Sequence, residues 1–166
     1  MTPAGRPFVF IHGLWLHTSS WAPWTELFQT AGYAPSAPGW PGASDTVEET
    51  RSHPDLVAGK GDLYQRWTVP SPAKPLFEAA SANLSRRSPA KVNTGNKTRG
   101  PLLLIAGGHD HTVPAAITRS TRKLYHKSPA ITDLREFNDR GHSLTIDHGW
   151  REIADEVLNW LSQRLT

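Results

Sequence analysis

Apolar residues gather into a few runs separated by polar, turn-rich stretches. Phe8-Val9-Phe10-Ile11 is a continuous apolar, β-favouring run. A run without alternation suits a strand buried on both faces, as in a parallel sheet. Ser19 or Ser20 is placed to cap a helix in which Trp24, Leu27, Phe28 and Ala31 share one face, with Gly32 to end it. Tyr33-Ala34-Pro35 reads as a weaker second strand, followed by a Pro/Gly-rich loop from Ser36 to Gly42. Asp45 is expected to cap a short helix through Glu48 and Glu49. The pattern then weakens. Pro70, Pro72 and Pro75 punctuate it, Leu76 to Leu84 suits one short helix, and Lys91 to Gly100 reads as an exposed loop.

Periodicity returns at Pro101-Leu102-Leu103-Leu104-Ile105-Ala106, a second fully apolar strand closed by Gly107-Gly108. A helix is expected from Pro114 to about His126, since proline is favoured in a first turn. Ile131 to Phe137 reads as another strand. Trp150, Ile153, Ala154, Val157, Leu158 and Leu161 then recur at helical spacing, with Arg151, Glu152, Asp155 and Glu156 opposite. Strands alternating with helices predict an α/β fold with a mostly parallel sheet and flanking helices. The 166 residues suffice for one domain. We divide it into an N-terminal block (1–61), a cap remnant and loop (62–100) and a C-terminal block (101–166).

Composition narrows the chemistry. The net charge of +3 is mild, and no basic run exceeds Arg86-Arg87, so nucleic acid is not an expected partner. With no cysteine, thiolate catalysis, disulfides and zinc-thiolate sites are excluded. The apolar run at Phe8 is far too short to span a membrane, and the N-terminus lacks the pattern of a secretory signal. A soluble, cytoplasmic protein without membrane contact is the expectation.

Three loops fall at the carboxyl ends of strands, where open α/β sheets place their chemistry. The first is His12-Gly13-Leu14-Trp15, where a glycine turn can leave the Leu14 amide free to stabilise an oxyanion. The second carries Asp110, within Gly107-Gly108-His109-Asp110-His111-Thr112-Val113-Pro114. The third carries His142, within Asp139-Arg140-Gly141-His142-Ser143. A buried carboxylate that orients an imidazole is two thirds of a catalytic triad. Taken alone, Asp110 could be a turn or capping residue and His142 an ordinary loop histidine. His12 reads as a packing or hydrogen-bonding residue. His109, His111, His12 and His142 raise a metal site, but residues two apart on an extended segment share a face that Asp110 leaves, so no metal or cofactor is expected. Trp15 and Trp40 follow strand-end loops and could line an apolar pocket; burial by packing explains them equally well.

Taken in order, these motifs resemble the small bacterial esterase-type members of the α/β-hydrolase superfamily. The resemblance runs over two blocks, Phe8 to Gly61 and Asp62 to Leu161. It implies an esterase-like hydrolase in which Asp110 is the acid, His142 the base and Leu14 an oxyanion donor. One part is missing. The family's nucleophile lies on Gly-x-Ser-x-Gly, and no two glycines of this chain stand four positions apart. The roughly 40 residues between Gly61 and Pro101 show no buried strand, too little chain for two central strands and the nucleophile helix. An internal deletion near Gly61-Asp62 is therefore expected, giving a truncated triad.

Two functions are compatible with this pattern. One is a catalytically impaired hydrolase of carboxylic esters or related acyl bonds, taking a small ester-like substrate. The other is a non-catalytic remnant that binds a small apolar ligand or a protein partner. Loss of central strands would expose the edges at Phe8 and Pro101, which must pair with each other or be covered by another chain, self-association included. We expect the two strands to pair directly and in parallel, giving a sheet ordered Tyr33, Phe8, Pro101, Ile131.

Overall fold

The computed structural model describes residues 5–13, 16–39, 45–51, 88 and 92–164. The chain divides into two compact units, Met1–Pro75 and Leu76–Thr166. The helix expected at Leu76 to Leu84 lies outside the described residues.

In the first unit, β1 (Arg6–Val9) leads through a 3-10 turn (Thr18–Trp21) into α1 (Ala22–Thr30) and then β2 (Tyr33–Ser36). The strands pair in parallel, Arg6 opposite Tyr33 and Val9 opposite Ser36, and Phe10 N–H donates to the Ser36 carbonyl at 2.8 Å. The helix entry differs from the serine cap expected. His17 caps the 3-10 turn by accepting the Ser19 N–H, and Pro23 stands in the first turn of α1, where its missing N–H costs nothing. Gly32 has a φ of +88°, the left-handed conformation that ends a helix most cheaply with glycine. α2 (Val47–Arg51) is capped by Thr46, whose hydroxyl accepts the Glu49 N–H at 3.1 Å, rather than by Asp45. The core is aromatic. Phe28 is fully buried, with ring centroids of Phe8 at 4.6 Å, Phe10 at 5.0 Å and Tyr33 at 5.6 Å.

The first strand is not the doubly buried one expected. It begins and ends two residues early, and Val9 and Ile11 are 55% and 66% exposed. Among the described residues the strand is paired on one edge and covered by one helix, too few neighbours to bury both faces.

In the second unit, β3 (Leu102–Gly107), α3 (Ala115–Leu124), a 3-10 turn (Tyr125–Lys127), β4 (Thr132–Phe137) and α4 (Trp150–Arg164) succeed one another in order. β3 and β4 are parallel and in register from Leu102–Thr132 to Gly107–Phe137. Side chains alternate along β4. Glu136 turns to Arg119 of α3 at 2.6 Å, while Asp133 and Arg135 turn to α4. Asp133 accepts the Trp160 indole N–H at 2.7 Å and a bond from Arg164 at 3.1 Å. The indole bond leads in holding its carboxyl below the usual aspartate range, despite partial burial. Helices thus flank the sheet on both sides.

The direct pairing expected of the two apolar strands is not among the ladders of the described residues. Among the described residues β1 pairs only with β2, and β3 only with β4. No helix among the described residues is long and apolar enough to cross a membrane.

Candidate active site

The carboxyl ends of β3 and β4 are laced together before any side chain is considered. Gly108 N–H donates to the Phe137 carbonyl at 2.8 Å, and His109 N–H to the Arg140 carbonyl at 2.9 Å. The approach requires glycine. A Cβ at Gly108 would stand 2.6 Å from the Asn138 carbonyl oxygen, and one at Gly107 would collide with the carbonyls of Arg140 and Gly141.

This lacing brings the acid loop against the base loop. His142 Nδ1 lies 2.9 Å from Asp110 Oδ2. The other carboxylate oxygen accepts the N–H groups of Thr112 and Val113, both at 2.8 Å. An aspartate holding two successive amides is a turn-former, so the carboxylate does both things at once: it folds its own loop and orients the imidazole. Its side chain is 8% exposed, whereas that of His142 is 55% exposed. Burial alone would raise the Asp110 pKa. The bonds from Val113, His142 and Thr112 outweigh it and hold the carboxyl below its ordinary 3.8. A carboxylate is acceptor-only, so the proton between the pair sits on Nδ1. His142 Nε2 makes no hydrogen bond to a described residue and keeps its lone pair when the ring is neutral.

Asp110→Asn tests this arrangement. The amide can keep one oxygen on Thr112 and Val113 but presents N–H to the imidazole, so the ring must move its proton to Nε2. We expect the fold to persist and the ¹⁵N shifts of His142 to exchange between the two ring nitrogens. Unchanged His142 shifts would mean that the pair is not formed in solution. The acid limb of stability should flatten too. Because the folded pKa of Asp110 is lowered, its contribution is present above the unfolded value and is lost as pH falls through the folded one.

A cluster that sequence reasoning missed braces the base loop. Arg140 donates to Glu152 of α4 at 2.6 Å and approaches His148 Nε2 at 3.0 Å. Its guanidinium lies over Gly149, where a Cβ would collide with it. Only the adjacency to His142 marks Arg140 in the sequence; its partner lies 12 residues on, in the next helix. Gly149→Ala would push aside the Arg140 guanidinium, the far end of a flexible side chain, so it should cost only the bond to Glu152 that is given up, about 1 kcal/mol. Gly100→Ala, where nothing stands within 4 Å, should be neutral or slightly stabilising. Urea unfolding of both variants decides it; equal midpoints would remove the brace.

His12 is buried and donates from Nδ1 to the Gly13 carbonyl at 3.0 Å. His109 and His111 are exposed, and no cluster among the described residues could hold a metal ion. Leu14, Trp15 and Trp40 lie outside the described residues.

No family model matches the chain, and no curated protein does. Solved structures of esterase 2 from the planctomycete Thermogutta terrifontis are similar to it. The propionate-bound form shares 14% identity at a TM-score of 0.57, over 98% of this chain and 85% of that one. The form phosphoramylated by tabun gives 14% and 0.58, over 98% and 84%. The form phosphorylated by paraoxon gives 15% and 0.54 over the same shares. At this identity the likeness is one of fold: the chain has an α/β fold of parallel sheets and flanking helices, similar to that of a bacterial esterase.

Proposed function

We propose that this chain is an ester-hydrolase scaffold that retains an acid–base pair and has lost its nucleophile, so that only slow, base-assisted hydrolysis of acyl bonds remains. The observation that carries the reading is the 2.9 Å contact between His142 Nδ1 and Asp110 Oδ2, with the second carboxylate oxygen held by two amides. That arrangement fixes the tautomer in which Nε2 is the base. The esterase fold of the similar structures supports the substrate class.

The remaining chemistry uses water. His142 Nε2 removes a proton as the water oxygen attacks the ester carbonyl, and Asp110 stabilises the resulting imidazolium. The tetrahedral intermediate then collapses, the carbon–oxygen bond to the alcohol breaks, and the imidazolium returns the proton to the leaving oxygen. The products are the acid and the alcohol, and no acyl-enzyme forms. We further propose that a segment bearing Gly-x-Ser-x-Gly is missing between Gly61 and Asp62; an in-frame coding segment at that junction in the gene would supply it.

The test is hydrolysis of an activated nitrophenyl ester by the full chain and by His142→Ala. The expected result is a small rate without a burst, reduced to the solution rate in the variant. A rate indifferent to His142 would leave the second reading, a ligand-binding remnant, in possession.

A further inference from the structure

At the other end of the β3–β4 sheet, an open cleft of about 330 Å³ is lined by Arg122, Lys123, Tyr125, His126, Ser128 and Thr132, among others. It gathers the last turn of α3, the 3-10 turn after it and the first residue of β4. The dyad lies past the carboxyl ends of the same strands, so this cleft is a separate place, and a ligand bound in it is independent of the ester chemistry.

The arginines here are treated unlike the other described arginines of the unit. Arg119, Arg135, Arg140, Arg151 and Arg164 each meet a carboxylate. Arg99, Arg122, Lys123 and Lys127 meet none among the described residues. The carbonyl end of a helix offsets only about half a unit of positive charge, which leaves most of the charge of Arg122, Lys123 and the adjoining Arg99 uncompensated. The nearest acid along β4, Asp133, is committed to Trp160 and Arg164 of α4.

Each cation has a distinct part. Arg99 spends its guanidinium on the carbonyls of Gly100, Ala130 and Ile131 and on the Thr132 hydroxyl, and sits 5.1 Å from the Tyr125 ring centroid. It fixes the floor and adds charge. Among the described residues Arg122 bonds through Nε alone, donating to the Thr132 carbonyl at 3.3 Å, and its two terminal nitrogens meet no described partner. Lys123 makes no side-chain bond to a described residue. His126 Nδ1 lies 2.7 Å from the Lys123 carbonyl; a carbonyl only accepts, so the ring is held as a donor there.

We propose that this cleft binds a small soluble phosphate monoester. A guanidinium edge and a separate ammonium suit a group that carries close to two negative charges on three oxygens. A planar carboxylate would satisfy one donor and leave the other. The cleft exceeds the volume of phosphate itself, and the Tyr125 ring gives an apolar surface for the organic part.

The probe is phenyl phosphate, titrated calorimetrically into the full chain. Arg122→Gln combined with Lys123→Gln should weaken saturable binding by at least about tenfold, the size of a lost charge-assisted bond. Arg119→Gln combined with Arg151→Gln removes the same net charge elsewhere and should change affinity little. Far-UV circular dichroism should show all variants folded. Equal loss in both double variants would reduce the effect to general charge and overturn the site, as would the absence of saturable binding. Capture by phosphatidate-containing vesicles, with no affinity for phenyl phosphate, would overturn the soluble ligand.

Discussion

Incubated with paraoxon, the full chain should keep its unmodified mass, and its turnover of activated esters should fall below that of an intact triad enzyme by about 10⁶-fold, the cost of losing a triad nucleophile. The reason lies in what His142 lacks. Its ring is bonded to Asp110, and no serine hydroxyl among the described residues reaches its other nitrogen. Ser143 is next to it in sequence, but its carbonyl accepts the N–H groups of Ile146 and Asp147, which commits that residue to starting a turn. A serine–histidine bond does exist in the first unit, between Ser19 Oγ and His17 Nδ1 at 2.9 Å. That nitrogen also accepts the Ser19 N–H at 3.2 Å, so the lone pair a general base needs is shared with a helix cap. Cysteine cannot substitute, since the chain has none. Intact-mass spectrometry after paraoxon treatment, with peptide mapping, measures the outcome directly. Rapid stoichiometric phosphorylation of any serine would show that a surrogate nucleophile operates and would end the impaired-hydrolase reading.

The parts of this molecule that were legible in the sequence are those set by local rules. The apolar run at Leu102–Ile105, the alternation in β4 and the helical spacing from Trp150 to Leu161 all became the elements they predict. The meeting of Asp110 and His142 was legible too, because two parallel strands in register must bring the loops after them to the same edge. What was not legible depends on distant partners. The direct pairing of β1 with β3 was inferred from the need to satisfy strand edges, but each strand found only one neighbour among the described residues. Thr46 displaced Asp45 as a cap because a shift of one residue in helix start is invisible to composition. The Arg140–Glu152 brace and the cleft at Arg122 join residues on different elements, and no spacing rule announces them.

Replacing Phe28 with alanine should cost about 3–5 kcal/mol of stability. A two-stranded ladder is marginal in water, and among the described residues β1 and β2 form only that, with three of the four β1 residues exposed. The ladder cannot hold the first unit together alone; the aromatic packing against α1 must. Phe28 is the hub of that packing, 0% exposed. Its ring contacts Phe8 and Tyr33 on the two strands and Trp24 on its own helix, the last at 6.0 Å between centroids. Removing it opens a cavity walled by rigid rings, which relax less than aliphatic chains would. The loss is large against a domain stability of roughly 5–15 kcal/mol, and small units sit at the low end. Urea unfolding monitored by circular dichroism should show the midpoint falling sharply for Phe28→Ala and less for Phe28→Leu, which keeps most of the buried carbon. The exposed Ile11 offers the contrast, since Ile11→Ala should change the midpoint little. If Phe28→Ala matched Ile11→Ala, the aromatic cluster would not be what folds this unit, and its stability would have to come from residues other than these rings.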